Sequence, residues 1–247
     1  MKIIINGCAG RMGRAVEALS AEGFRGAQVV AGSDPFIADN PAACRFSSLF
    51  SYQGEADCVV DFSSHEATAE LLHYCLERKM PVVIATTGQT EQEKEMIRVA
   101  AEKIPVFYSR NMSLGIAWLS SVAKSAAAFF PDADIEIVEM HHNQKADAPS
   151  GTALMLAEAM REAKPEAELV LGRSGFGKRQ KREIGISAIR LGNEVGTHEI
   201  LISTGNETIT LKHQITDRSL FANGALVAAA FLCGKPAGLY TMNDITG

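Results

Sequence analysis

The chain has 247 residues, of which 47% are hydrophobic and 21% charged, and a formal net charge of −5. That is enough apolar material for one large or two small globular domains, and the acidic balance argues against a general nucleic-acid binder, which carries a basic excess. No apolar run reaches the length of a bilayer span and the chain opens on a strand pattern without a leader, so a cytoplasmic protein with no membrane or nucleic-acid partner is expected.

Residues 2–6 form a short apolar run suited to a buried parallel strand. Gly7, Gly10 and Gly13 follow as G-x-x-G-x-x-G, and 14–19 has a helical pattern. This is a spaced variant of the dinucleotide fingerprint. Gly7 permits the tight turn, Gly10 admits a pyrophosphate, and Gly13 lets the helix lie close to the strand. A second strand is predicted over 28–32, with Asp34 just beyond it. Asp34 stands about 20 residues past the glycine turn, where an acid bonds the ribose hydroxyls and favours NAD over NADP. The alternatives are a loop aspartate opening a turn before Pro35, and an Arg11 that reaches a 2′-phosphate.

Residues 36–55 carry no pattern. A strand follows at 58–62, then a helix from His65 to about Lys79, capped by Ser63 or Ser64, with Ala69, Leu72 and Leu76 on one face. His65 and His73 are expected on its surface. Residues 81–85 form another strand, ending in Thr86, Thr87 and Gly88. Thr90 and Glu93 have capping-box spacing for a helix to about Lys103. Strand 106–108 leads into Ser109, Arg110, Asn111 and Met112. Strands alternating with helices predict a doubly wound parallel sheet of Rossmann type, with its ligand at the carboxyl ends of the strands. The glycine turn, the 85–87 turn and the 109–112 turn would converge there as a cofactor wall.

A long apolar helix at 113–130 bridges to a second domain. Its first strand, 134–138, alternates polar and apolar residues and runs into Glu139, Met140, His141, His142, Asn143, Gln144, Lys145, Ala146, Asp147, Ala148, Pro149, Ser150, Gly151, Thr152 and Ala153. Two histidines, a lysine and an aspartate thus precede a helix whose N-cap is Ser150 and whose first residues are Gly151 and Thr152. Backbone N–H groups there form an anion site. The pattern describes a protic reaction centre beside a pocket for a carboxylate or phosphate. The bland alternative is one core histidine, one solvated histidine, and a Lys145–Asp147 surface pair.

The predicted helix from 153 to about 163 ends before Pro165. The basic, glycine-rich stretch 172–182 reads as a mobile loop, either solvated or a flap attracting an anionic substrate. Strands at 184–190, 197–203 and 207–214 suggest a largely antiparallel sheet. On it Arg190 and His198 are either pocket or sheet-surface residues, and His213 has no distinguishing context. A helix at 219–234 and a tail at 238–242 close the chain, the tail returning to the first domain. The five cysteines (Cys8, Cys44, Cys58, Cys75, Cys233) are scattered and form no CxxC pair, which fits reduced thiols and no metal site.

With these residues in view, the chain resembles the 4-hydroxy-tetrahydrodipicolinate (dihydrodipicolinate) reductase family of bacterial lysine and diaminopimelate biosynthesis. The resemblance spans essentially the whole chain and is most specific over 139–153, against E-x-H-H-x-x-K-x-D-A-P-S-G-T-A. Segments 190–198 and 221–225 support it. It implies a Rossmann domain over 1–112 plus 220–247, and an α/β substrate and oligomerisation domain with a mostly antiparallel sheet over 113–219. It implies an NADH- or NADPH-dependent oxidoreductase acting on a cyclic dicarboxylate, usually as a homotetramer. By position, His141 matches the family's catalytic histidine, Lys145 its proton-donating lysine, His142 a substrate contact, and Gly151 and Thr152 the backbone cradle for a substrate carboxylate. Gly7, Cys8, Ala9, Gly10, Arg11, Met12, Asp34, Ala85, Thr86, Thr87, Ser109, Arg110, Asn111 and Met112 match cofactor contacts. Ala85 replaces a common glycine, and 109–112 departs from a small-small-Asn-Phe pattern. The rival readings are a non-catalytic nucleotide sensor, whose mark would be loss of the His-Lys pair, and another nicotinamide-dependent dehydrogenase. The residues themselves leave open which of His141 and Lys145 gives the proton.

Overall fold

The computed structural model describes residues 1–246. Gly247, the last residue of the expected first domain, lies outside the described residues. The chain divides into two compact units, one of Met1–Ser113 with Ser219–Gly247 and one of Leu114–Arg218.

The first unit runs β1 (Lys2–Asn6), α1 (Arg11–Ala21), β2 (Gln28–Ser33), β3 (Arg45–Phe46), β4 (Cys58–Asp61), α2 (Thr68–Arg78), β5 (Val82–Ile84), α3 (Glu91–Ala101) and β6 (Pro105–Tyr108). The strands are short and apolar because both faces of the sheet are covered; Ile3, Ile4 and Ile5 are all fully buried. The patternless stretch 36–55 contains the two-residue strand β3, which extends the sheet beside β2. Two residues are too few to show a period. Ser64, not Ser63, caps the turn ahead of α2. That helix buries Leu71, Leu72, Tyr74 and Cys75, a face rotated from the expected Ala69–Leu72–Leu76 stripe. The capping box of Thr90 and Glu93 is formed at α3. Glu93 also holds His65 Nδ1 at 3.1 Å, so His65 is tied across to α3.

The second unit comprises α4 (Leu114–Phe129), β7 (Asp134–His141), α5 (Gly151–Ala163), β8 (Glu168–Leu171), β9 (Glu183–Arg190), β10 (Gly196–Ser203) and β11 (Thr208–Ile215). The sheet order is β11-β10-β7-β9-β8. Next to the central β7, β10 is antiparallel to both β7 and β11, while β9 runs parallel to β7 and β8. Ile135, Ile137, Ile184, Ile186, Ile200 and Ile202 point from one sheet face into a core shared with Leu119, Leu156 and Met160 of α4 and α5. Edge strand β8 was not expected from the sequence, being four residues long and only partly buried. The basic stretch after it is pinned at two points. Arg179 donates to the carbonyls of Ile135 and Glu183 at 3.0 and 2.6 Å, and Arg173 pairs with Glu183 at 2.5 Å. The expected mobile flap therefore lacks two of its cations, which brace β7 and β9.

The chain then returns to the first unit as α6 (Ser219–Leu232) and β12 (Gly238–Tyr240). β12 pairs parallel with β6, completing an all-parallel sheet of order β12-β6-β5-β4-β1-β2-β3. Phe231 of α6 packs edge-on between Phe107 and Tyr240.

Candidate active site

In the first unit the carboxyl ends of β1, β2 and β4 open into a cleft lined by Gly7, Ala9, Gly10, Asp34, Phe36 and Glu70, among others. Gly7 has φ +83°, and a Cβ there would lie 2.6 Å from the Phe62 carbonyl oxygen. At Gly13 a Cβ would fall 2.7 Å from Cys8 Cα, so α1 and the turn touch backbone to backbone. Helix α1 begins at Gly10 without a side-chain cap and without an acid in its first turn. An uncapped helix start behind a glycine turn fits a pyrophosphate.

Asp34 is nearly buried, and its two oxygens accept the N–H groups of Ala9 and Phe36 at 3.1 and 3.0 Å. Cys8 is buried beneath the turn, and burial pushes its thiol up. Arg11 is exposed and Met12 half-buried. The 85–87 turn is tied to β4: Thr86 Oγ1 donates to Asp61 at 2.7 Å, and Thr87 is exposed. Ser109 Oγ donates to the Asn111 carbonyl at 2.7 Å, Arg110 is exposed, and Met112 is buried under Gly224 of α6, where a Cβ would lie 2.9 Å from the Met112 carbonyl carbon.

Sequence reasoning missed the hub of this wall. Asp61, fully buried at the end of β4, accepts from Asn6 Nδ2 at 2.8 Å, Ser63 Oγ at 2.5 Å and Thr86 Oγ1 at 2.7 Å. Burial pushes its carboxyl upward against the pull of these donors. The available signal was a polar residue closing an otherwise apolar strand, in Asn6 as in Asp61.

In the second unit, β7 delivers Glu139 and His141 to one sheet end. Parallel register sets His141 beside Arg190 of β9, and antiparallel register sets Glu139 opposite His198 of β10. Glu139 has no exposed surface. It accepts from His141 Nδ1 at 2.5 Å, from both Arg190 Nη atoms at 2.9 Å, and from the Ser150 N–H at 3.0 Å. Burial opposes its charge, but the His141 and Arg190 donors prevail and hold the carboxyl down at about 2. Ser150 caps α5 by accepting from Ala153 N at 3.2 Å, and its Oγ meets His198 Nε2 at 3.1 Å. Burial, with the charge of His141, holds His198 down to about 4. Arg190 and His198 are thus members of the site, a choice the sequence left open.

Lys145 pairs with Asp147 at 2.7 Å in the loop between β7 and α5. Burial raises the Asp147 carboxyl, but the Lys145 ammonium and then backbone N–H groups including that of Gly151 bring it below the ordinary value. A carboxylate of the chain itself therefore faces Lys145 and the start of α5. His142 is pushed down by partial desolvation and then by the charge of Arg218, a cation the sequence reading did not single out. The structure gathers His141, His142, Lys145 and the 150–152 helix start within this unit.

Comparison with known proteins matches this chain to family models described as dihydrodipicolinate reductase, N-terminus, over residues 1–112 and dihydrodipicolinate reductase, C-terminus, over residues 115–246. A curated 4-hydroxy-tetrahydrodipicolinate reductase from Caldanaerobacter subterraneus subsp. tengcongensis is 47% identical, covering 99% of this chain and 98% of that protein. One from Clostridium tetani is 43% identical over 98% of this chain and 96% of its own length. The solved dipicolinate-bound dihydrodipicolinate reductase from Paenisporosarcina sp. TG-14 superposes with a TM-score of 0.82 at 26% identity, covering 99% of both chains.

Proposed function

Because this chain belongs to the dihydrodipicolinate reductase family, we propose that the residues around His141 carry the family's reaction here. The chain is a pyridine-nucleotide-dependent oxidoreductase that reduces 4-hydroxy-tetrahydrodipicolinate to tetrahydrodipicolinate in lysine and diaminopimelate biosynthesis. Net reaction takes up a hydride and a proton, and the 4-hydroxyl leaves as water. When bound, the reduced nicotinamide supplies the hydride.

The observation that carries the site assignment is the buried Glu139 carboxylate holding His141 Nδ1, with the Lys145 ammonium in the adjoining loop. His141 and Lys145 are the proton donors of this reading, and general acid catalysis is worth about 100- to 10,000-fold. Gly151 and Thr152 at the start of α5 receive a substrate carboxylate, with His142 and Arg218 as flanking groups. The position Asp147 takes against Lys145 and the Gly151 N–H supports this, since it is already occupied by a carboxylate. The first unit is the dinucleotide domain (1–112 plus 220–247), and 113–219 the substrate and oligomerisation domain.

We assign NADH as the favoured cofactor. The cleft beside β2 presents the carboxylates of Asp34 and Glu70 and no lysine or arginine among its lining residues, which suits ribose hydroxyls and repels a 2′-phosphate. The cofactor contacts of this reading are Gly7 to Met12, Asp34, 85–87 and 109–112. The active form is a homotetramer joined through the sheet face opposite α4 and α5, where Val138, Met140, Leu201 and the partly exposed Ile189 are not enclosed. Five free cysteines fit a reducing cytoplasm.

The test supplies substrate from the condensation of pyruvate with aspartate semialdehyde and follows NADH and NADPH oxidation separately. Rapid oxidation requiring both precursors, faster with NADH at low cofactor concentration, supports the reading. No turnover with either cofactor, from folded protein that binds dinucleotide, would favour a sensor. Sedimentation velocity tests the tetramer.

A further inference from the structure

We propose that Glu139 is a positioning residue, whose one carboxylate sets the ring of His141 and the head of α5 relative to each other, with Arg190 fixing that carboxylate in turn. The proposal rests on the reading that His141 acts in the reaction. Each Glu139 oxygen takes two donors. Oε2 accepts His141 Nδ1 at 2.5 Å and Arg190 Nη1 at 2.9 Å, while Oε1 accepts Arg190 Nη2 at 2.9 Å and the Ser150 N–H at 3.0 Å. An ionised carboxylate only accepts, so the His141 nitrogen facing it carries hydrogen. That bond fixes which nitrogen is left for chemistry, Nε2. Nε2 makes no hydrogen bond among the described residues, and it lies where β10 has Gly196 in place of a side chain.

Stability alone does not explain a fully buried carboxylate paired with a partly exposed arginine, because a well-packed apolar replacement of a buried ion pair is often as stable. Geometry does. The donors come from β7, β9 and the N-terminus of α5, three elements that no local sequence rule holds in register. Arg190 Nη2 also donates to the Asp147 carbonyl at 2.6 Å, so the same pair anchors the loop that carries Lys145. The other titratable groups facing this centre are His198 from β10, whose ring lies edge-on to His141 at 5.2 Å, and Lys145, Asp147 and His142 from the loop. None of them donates to Glu139.

The test replaces Glu139 by Gln, which keeps the shape but presents an amide nitrogen to donors. The tautomer of His141 is read by 15N chemical shifts in histidine-labelled protein, and kinetics are measured with saturating dinucleotide. The expected result is a mixed His141 tautomer, kcat reduced at least about thirtyfold, and a KM for the dinucleotide within about twofold of wild type. Glu139→Asp, which retains the charge, should restore the single tautomer in part. A folded Glu139→Gln enzyme with wild-type kcat, or one whose His141 keeps its Nδ1–H tautomer, overturns the proposal. Should Glu139→Gln not fold, Arg190→Lys replaces it, since it keeps the charge but loses the two-pronged grip. Lowered kcat at constant dinucleotide KM supports the proposal, and wild-type kcat overturns it. His141→Gln is assayed alongside. If it retains full turnover, the reading of His141 has failed, and the tautomer shift still decides the positioning by itself.

Discussion

Gly196 of β10 stands directly against His141, for a Cβ built on it would lie 3.1 Å from Nε2 and 3.4 Å from Cδ2 of that ring. Its backbone is not in the left-handed region, so Gly196→Ala adds no backbone strain. The new methyl must displace the imidazole by a few tenths of an ångström. We expect kcat to fall about tenfold through misorientation of the ring, with stability changed by less than about 1 kcal/mol because the substitution also restricts the unfolded chain. Steady-state kinetics and urea denaturation check both parts. Undiminished kcat would mean that His141 orientation does not limit the reaction.

His141→Ala and Lys145→Ala should each lower turnover by about 100- to 10,000-fold. Dinucleotide affinity should hardly change, since the cleft lined by Gly7, Asp34 and Glu70 is built within the other unit. Absorbance kinetics and fluorescence titration separate the two quantities. Near-wild-type turnover in both variants would remove the proton-donor assignment.

Asp61→Ala deprives Asn6 Nδ2 and the hydroxyls of Ser63 and Thr86 of a common buried acceptor. Leaving such groups unpaired costs roughly 2 to 4 kcal/mol. The same change loosens the 85–87 turn, so the dinucleotide dissociation constant should rise together with the loss of stability. A variant that loses stability but binds dinucleotide as wild type would confine Asp61 to a structural part.

Acid should destabilise the fold in two stages. His198 is held at about 4 against an ordinary 6.5, by burial first and then by the charge of His141. The unfolded chain therefore binds this proton at a higher pH than the folded one, and the stability that neutral His198 contributes is lost as pH falls from 6.5 towards 4. The loss is on the order of 3 kcal/mol. Glu139, at about 2 against 4.5, contributes stability above pH 4.5 that is lost below it. Denaturation midpoints at pH 7.5, 5.5 and 4.5 should fall less steeply in His198→Gln than in wild type, and parallel slopes would refute the first stage.

Local pattern carried much of this protein. Apolar runs such as 2–6 and 82–84, the glycines at 7, 10 and 13, the Thr90–Glu93 capping box and the Ser150 cap are decided by neighbours a few residues away, so they are legible in order along the chain. The candidate site was legible as a cluster of residues too, because His141, His142, Lys145 and Ser150 lie within ten positions of one another. What holds them was not. Arg190 reaches Glu139 from 51 positions away, and His198 reaches Ser150 from 48. Those contacts exist because parallel and antiparallel register on the two sides of β7 bring separate strand ends together. Asp61 became a hub only when β1, β4 and β5 lay side by side, and strands β3 and β8 are too short to announce a period. Residue type and local spacing determined which chemistry the chain carries. Strand register and burial, which arise only on packing, decided which donor faces which acceptor, because a hydrogen bond between distant segments depends on distance and angle that no short stretch of sequence contains.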